Sequence, residues 1–309
     1  RRFLMNFTEF LKQFVRDLQR ELEKEFGRMV VEENHIRKLQ LSSYHGITVR
    51  QEHGVIGISI DVFPLFLDYQ GQKTYQEVLD EGVCRVKEGL HNQRYIGKVH
   101  FGDYQKMKKK VLVRLVPTRE NQEVLDDIVH REIEDLSMVY CFRLKEVDDV
   151  NYTMFLTKEM LNQYGVSEEQ IHQDAMRYAP KNAPAQIRSI YDVLGLDIDD
   201  DEKLMYVVGV KREMYGATAL FYPGMLERIT QLLEGDFYIL PSSIHEVIVI
   251  MDDGMEKVEE LEAMVREINA TEVEPKDRLS DNVYHYDQID RIFETGKAFI
   301  ERKKNDGAR

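Results

Sequence analysis

The chain has 309 residues, 43% of them hydrophobic and 32% charged, with a net charge of −14. That length admits one large or two ordinary domains, and the composition excludes disordered and fibrous classes. No window approaches the ~18 consecutive apolar residues of a membrane span, so no membrane is expected as partner.

Met5 reads as a natural start, with Arg1–Leu4 ahead of it, and no signal peptide is recognisable. Asn6 followed by Glu9 forms a capping-box pattern, and Phe7, Phe10, Leu11, Phe14, Val15, Leu18, Leu22 and Phe26 make the apolar stripe of a helix ended by Gly27. Runs at 29–31, 47–50 and 55–63 read as strands, the last two joined through Gln51-Glu52-His53-Gly54. A second helix is expected over about 74–90.

Val111–Val116 reads as a strand stopped by Pro117, and 136–144 and 152–156 as two more. Helices are expected at 157–164 and 167–178, the second opened by Ser167 and broken by Pro180 and Pro184. A short helix at 187–194, an acidic loop at 197–202 and a hairpin of 204–210 with 217–222 follow. Pro223-Gly224 starts a helix to about Leu233; 237–240 and 247–251 are strands, 256–269 is a helix, and 283–286 is a strand.

The pattern predicts an α+β fold of mixed, largely antiparallel sheets with flanking helices. The expected organisation is a helix/β-meander/helix subdomain over 5–100, an α+β domain over 101–290, and a polar tail over 291–309.

Chemistry concentrates in two places. In Tyr238–Val247, Ser242, Ser243, His245 and Glu246 lie between two apolar runs. Ser243 and His245 share a face of an extended chain, as a nucleophile and its base would, while Glu246 points away. The alternative is a Pro-Ser turn whose hydroxyls satisfy backbone groups. Neither a nucleophile elbow nor a two-histidine zinc motif is present.

The second place is Arg85–Arg119, which holds ten Lys and Arg against Glu88 and Asp103: +8, in a remainder of −22. Lys106, Lys108, Lys109, Lys110 and Arg114 are its candidate contacts to nucleic acid or an acidic partner, with Tyr95, Phe101 and Tyr104 interleaved. Against that stands a helix end complementing its own dipole.

The acidic stretch Asp126–Asp135 around His130 fits no metal-ligand spacing and reads as a solvated connection; Asp199–Asp201 and Asp252–Gly254 read as turns. Cys84 and Cys141 match no metal or redox motif, and their scarcity suits a reducing cytoplasm. No glycine spacing fits a nucleotide loop, so no cofactor and no metal is expected.

Asn121–Leu125, His130, Asp135–Tyr140, Tyr164-Gly165-Val166, Pro180, Tyr206–Val208, Gly216-Ala217, Tyr222-Pro223, Tyr238–Ile248 and Ser280–Tyr284 together resemble the bacterial domain-of-unknown-function family five-six-eight-eight. The likeness runs from about Met5 to Tyr286. The central and C-terminal parts resemble the YtpQ-type family more distantly. The resemblance implies a bacterial, cytoplasmic protein and supplies no activity, cofactor or catalytic residue. The function expected is non-catalytic binding, with a protein partner favoured. The alternatives are nucleic-acid contact through 85–119 and a Ser/His hydrolase at the Pro-Ser-Ser-Ile-His-Glu turn.

Overall fold

The computed structural model describes residues 5–39, 41–52, 57–96, 101–147, 150–196, 205–211, 214–241 and 243–307. Two compact units divide the chain, Arg1–Val99 and His100–Arg309.

The first unit begins with α1 (Phe7–Phe26), whose capping box forms in both directions: Glu9 N–H donates to Asn6 Oδ1 at 3.0 Å and Asn6 N–H to Glu9 Oε2 at 3.1 Å. Phe10, Phe14, Leu18 and Leu22 on its apolar stripe are fully buried. The strands β1 (Met29–Lys38), β2 (Leu41–Gln51) and β3 (Ile58–Asp61) form an antiparallel meander. The expected strand to Phe63 stops at Asp61, whose side chain accepts from Phe63 N–H; α2 (Phe63–Gln70) starts there, with Pro64 in its first turn. The His53-Gly54 part of the expected hairpin lies outside the described residues.

The helix α3 (Tyr75–Ile96) closes this core with a surface notched by glycine. A Cβ at Gly82 would stand 2.5 Å from Phe14 Cζ, and one at Gly89 would stand 2.8 Å from Ile58 Cδ1. These glycines fall two turns apart on one face and let the backbone approach α1 and β3. Gly82→Leu is therefore expected to destabilise the first unit by about 1–3 kcal/mol through overpacking, despite the ~1 kcal/mol that a better helix former returns. An unchanged urea midpoint would contradict this packing.

The second unit opens with α4 (Tyr104–Met107), a 3₁₀ turn over 108–110, and β4 (Val111–Pro117). After α5 (Gln122–Leu125) come β5 (His130–Ile133), β6 (Leu136–Val147) and β7 (Val150–Phe155). Long β6 pairs with β4 on one side and with β5 then β7 on the other, all antiparallel. The connection expected around His130 is thus a strand, reversed at Glu134-Asp135, with Glu134 at φ 54°. Its outward charges hide the β pattern, because only the ladder with β6 holds it.

Next are α6 (Lys158–Tyr164) and α7 (Glu168–Asn182), which packs on β4. The helix runs through Pro180, where a break was expected. Proline deprives the Met176 carbonyl of its helical donor, but tertiary bonds hold the last turn. Asn182 Nδ2 donates to the Lys109 and Val111 carbonyls, and Arg143 donates to the Asn182 carbonyl.

The larger sheet takes β8 (Ala185–Ser189), followed by α8 (Ile190–Val193) where one helix over 187–194 was expected, then β9 (Met205–Val210). The expected acidic loop 197–202 lies outside the described residues. Residues 216–221, expected as the second arm of a hairpin, form a 3₁₀ helix buried from Gly216 to Leu220; the partners of β9 are β8 and β11. After α9 (Met225–Leu233) the sheet adds β10 (Phe237–Leu240), β11 (Glu246–Met251), β12 (Tyr284–Asp287) and β13 (Ile292–Thr295), with α10 (Val258–Thr271) between β11 and β12. The strand order is β13-β12-β10-β11-β9-β8, antiparallel throughout.

The expected polar tail over 291–309 instead contains β13 and α11 (Gly296–Gly307). Phe299 of α11 is buried with Tyr238, Leu261 and Val265, so the charges around it line one face of an element that packs. The chain is an α+β protein with largely antiparallel sheets. Among the described residues no helix is long and apolar enough to cross a membrane.

Candidate functional site

The turn between β10 and β11 is built by its own polar groups. Ser243 Oγ accepts from the His245 backbone N–H at 3.0 Å, and Ser243 N–H donates to the Glu246 carbonyl at 3.2 Å. Ile244 N–H donates to the Asp277 carbonyl at 2.8 Å, and the Ile244 carbonyl accepts from Ala217 N–H. Ser242 lies outside the described residues. Glu246 forms an ion pair with Arg188 of β8 at 3.5 Å.

His245 sits between two partners. Its Nδ1 accepts from Tyr215 N–H at 3.1 Å, which places the proton on Nε2, and Nε2 faces Asp277 Oδ1 at 3.4 Å. Nδ1 is therefore taken by a backbone donor, Nε2 faces a carboxylate, and Ser243 Oγ meets the backbone of His245 rather than its ring. A serine nucleophile needs a free base nitrogen within reach, and this arrangement holds none between these two residues.

Tyr215 carries the site further. It holds φ 55°, which is rare for a bulky side chain. The next residue is Gly216, where a Cβ would stand 2.5 Å from the His245 carbonyl oxygen and from Val210 N. The close approach at Gly216 and the left-handed turn at Tyr215 set the phenol ring 5.6 Å from the imidazole. On its other side the Arg114 guanidinium lies 3.9 Å from the Tyr215 ring centroid.

Arg114 comes from the middle of β4 and is half-buried. It lies 5.3 Å from the Phe155 ring centroid and donates to Thr153 Oγ1 at 2.7 Å. It also stands beside the Cys141 thiol, whose pKa is pushed up by burial while Arg114 pulls the other way. No carboxylate lies within 4 Å of the Arg114 guanidinium among the described residues. The sequence marked Arg114 and His245 separately; the fold joins them through Tyr215. Asp277, Thr153 and Tyr215 carry no local signal that would have found them.

The other basic candidates separate. Lys106 forms an ion pair with Asp103 at 3.3 Å and Lys108 with Asp174 at 3.5 Å. Lys109 and Lys110 are exposed. Arg85 and Lys87 belong to α3 in the first unit, where they meet Glu81 and Glu25. The run +8 in sequence is thus shared between two units, with several of its charges already matched.

Elsewhere, His130 Nδ1 bonds the Ile128 carbonyl, and among the described residues no group of three or more His, Cys, Asp and Glu side chains could hold a metal ion. Asp252, expected in a plain turn, bonds the fully buried His285 at 3.0 Å; that bond first, then burial working against it, leaves the Asp252 carboxyl below its ordinary range.

Fold and site together define an α+β protein whose larger unit sets Arg114, with no carboxylate within 4 Å among the described residues, on the ring of Tyr215, whose backbone N–H holds the imidazole of His245. The chain belongs to a family of unknown function (DUF5688), whose model matches residues 7–288. No curated protein and no solved structure matches it, and a relation to the YtpQ-type family is not shown.

Proposed function

We propose that this protein is a non-catalytic binding protein whose second unit receives an acidic group of a protein partner at Arg114, Tyr215 and His245. The observation that carries the reading is the half-buried Arg114 guanidinium, held by two aromatic rings and a threonine with no carboxylate within 4 Å among the described residues. In a chain with 56 acidic against 42 basic side chains, a cation left without an acid offers charge-assisted hydrogen bonds to one from outside. A cytoplasmic setting belongs to the same reading and is supported by the two free thiols, Cys84 and Cys141.

Titration of the full chain with an acetylated hexaglutamate peptide tests it. Binding is expected to weaken at least about tenfold in Arg114→Ala, the worth of one charged hydrogen bond, and to be insensitive to Lys109→Ala with Lys110→Ala. A second reading, nucleic-acid contact, is favoured by those two lysines being exposed and, among the described residues, without an ion-pair partner. Low-salt binding of single-stranded DNA that is lost in the double lysine variant, with no peptide binding, would replace the first reading by the second.

A further inference from the structure

A second site lies away from Arg114, where α4 and the start of α7 enclose a cleft of about 480 Å³. That volume falls within the ~300–1,000 Å³ of small-molecule sites. Its lining is mostly polar: Tyr104, Gln105, Lys108, Ser167, Gln170 and Asp174.

Asp174 anchors it. Its side chain is 8% exposed, yet Oδ2 accepts from the Tyr104 phenol at 2.8 Å and from Gln170 Nε2 at 3.1 Å. Burial pushes its carboxyl pKa up, and the bonds from Tyr104, Gln170 and Lys108 outweigh this and hold it below the usual range. The carboxylate is therefore charged at neutral pH. Lys108 Nζ stands 3.5 Å from both carboxylate oxygens, beyond the ideal length of a charged hydrogen bond, and leaves donors to spare. The Gln105 side chain is exposed, Ser167 accepts from Gln170 N–H, and among the described residues the Gln105 side chain, the Gln170 amide oxygen and the Ser167 hydroxyl proton have no hydrogen-bond partner.

The cleft thus presents a fixed positive and a fixed negative charge side by side, with amide and hydroxyl groups of both senses around them. A simple anion meets Asp174; a simple cation meets Lys108. A hydroxyl donates to the carboxylate and accepts from the ammonium, so a neutral molecule bearing several hydroxyls matches both charges without opposing either. We propose that this cleft binds a neutral polyhydroxylated small molecule, a sugar or sugar alcohol.

The test uses the full chain with labelled valine methyls, titrated with D-glucose and with sorbitol, following the Val166 resonance at the cleft wall. A saturable shift is expected with at least one of them. Gln105→Ala, which removes an exposed side chain and leaves the fold intact, should weaken that binding at least fivefold, while Arg114→Ala leaves it unchanged. That last arm separates this proposal from the acidic-partner site. Absence of a saturable shift up to molar polyol, a shift indifferent to Gln105→Ala, or saturation by L-alanine in place of the polyols would overturn it.

Discussion

Asp135→Ala is expected to destabilise the second unit by about 2–4 kcal/mol, the cost of removing the central acceptor from a half-buried polar cluster that includes a buried phenol. Asp135 stands in the two-residue turn between β5 and β6, and its carboxylate accepts three hydrogen bonds from the segment entering β12. Ser280 Oγ donates to Oδ2 at 2.7 Å, Asn282 Nδ2 donates to Oδ2 at 3.0 Å, and the Tyr284 phenol donates to Oδ1 at 2.7 Å. The Asp135 carbonyl also accepts from Thr118 N–H, so one residue joins the smaller sheet to the larger. Tyr284 is 1% exposed, and burial first, then the Asp135 charge, pushes its phenol pKa well above the ordinary tyrosine range. Its proton therefore stays on the oxygen and must find an acceptor. Alanine at 135 strands that donor in the core, whereas Ser280 and Asn282, only half-buried, recover water. Tyr284→Phe removes donor and requirement together and should cost less, about 1.5–3 kcal/mol. Urea denaturation of both single variants and the double variant gives the coupling; a loss under 1 kcal/mol for Asp135→Ala would refute the account.

That cluster also shows what kind of information a sequence carries. The α1 helix was legible because its cap, stripe and stop all lie within consecutive residues: Asn6 to Glu9, Phe10 to Leu22, Gly27. Strands β4, β10 and β11 were legible as apolar runs bounded by proline or polar turns. Strand β5 was not, because His130–Ile133 owes its form to a partner rather than to its own composition. Pro180 marks a break to any local reading, and only Asn182, bonded to the entry of β4, shows why the helix continues. The site follows the same rule. Ser243 and His245 were visible as chemistry-bearing types in one string. The groups that decide what His245 can do, Tyr215 and Asp277, arrive from about thirty residues on either side, and no periodicity links them. Arg114 was marked for its charge, but its aromatic surroundings come from the fold. Asp135 and Ser280–Tyr284 both fall in strings that carried the family likeness, and their meeting is invisible until the sheets are assembled.

Arg302 makes the opposite case, a residue in an expected tail that the core depends on. Its Nε and Nη2 reach Glu294 Oε1 at 2.8 and 2.7 Å, and Nη2 also reaches Asp287 Oδ2 at 3.0 Å. Those side chains are 11% and 6% exposed, so the guanidinium holds two nearly buried carboxylates at the edge of the larger sheet. Arg302→Met keeps most of the stem but leaves both acids without their counter-charge, and is expected to cost about 3–5 kcal/mol at pH 7. The pH dependence fixes the cause. Burial pushes the Asp287 carboxyl up, but the Asp290 and Ile289 N–H groups together with Arg302 hold it below the ordinary value. A depressed carboxyl stabilises the fold fully above its unfolded pKa, near ~3.9, and loses that contribution as pH falls through its lower folded value. Without Arg302, burial gains weight, the folded pKa rises, and protonation relieves the variant as the solution becomes acidic. The stability gap between wild type and Arg302→Met should therefore be widest at neutral pH and shrink by half or more near pH 4. Asp290→Asn, at an acid that is 60% exposed and 3.5 Å from Arg302, should change stability by less than about 0.5 kcal/mol. Paired urea titrations at the two pH values decide it: a gap of equal size at both would mean that Arg302 acts through packing alone.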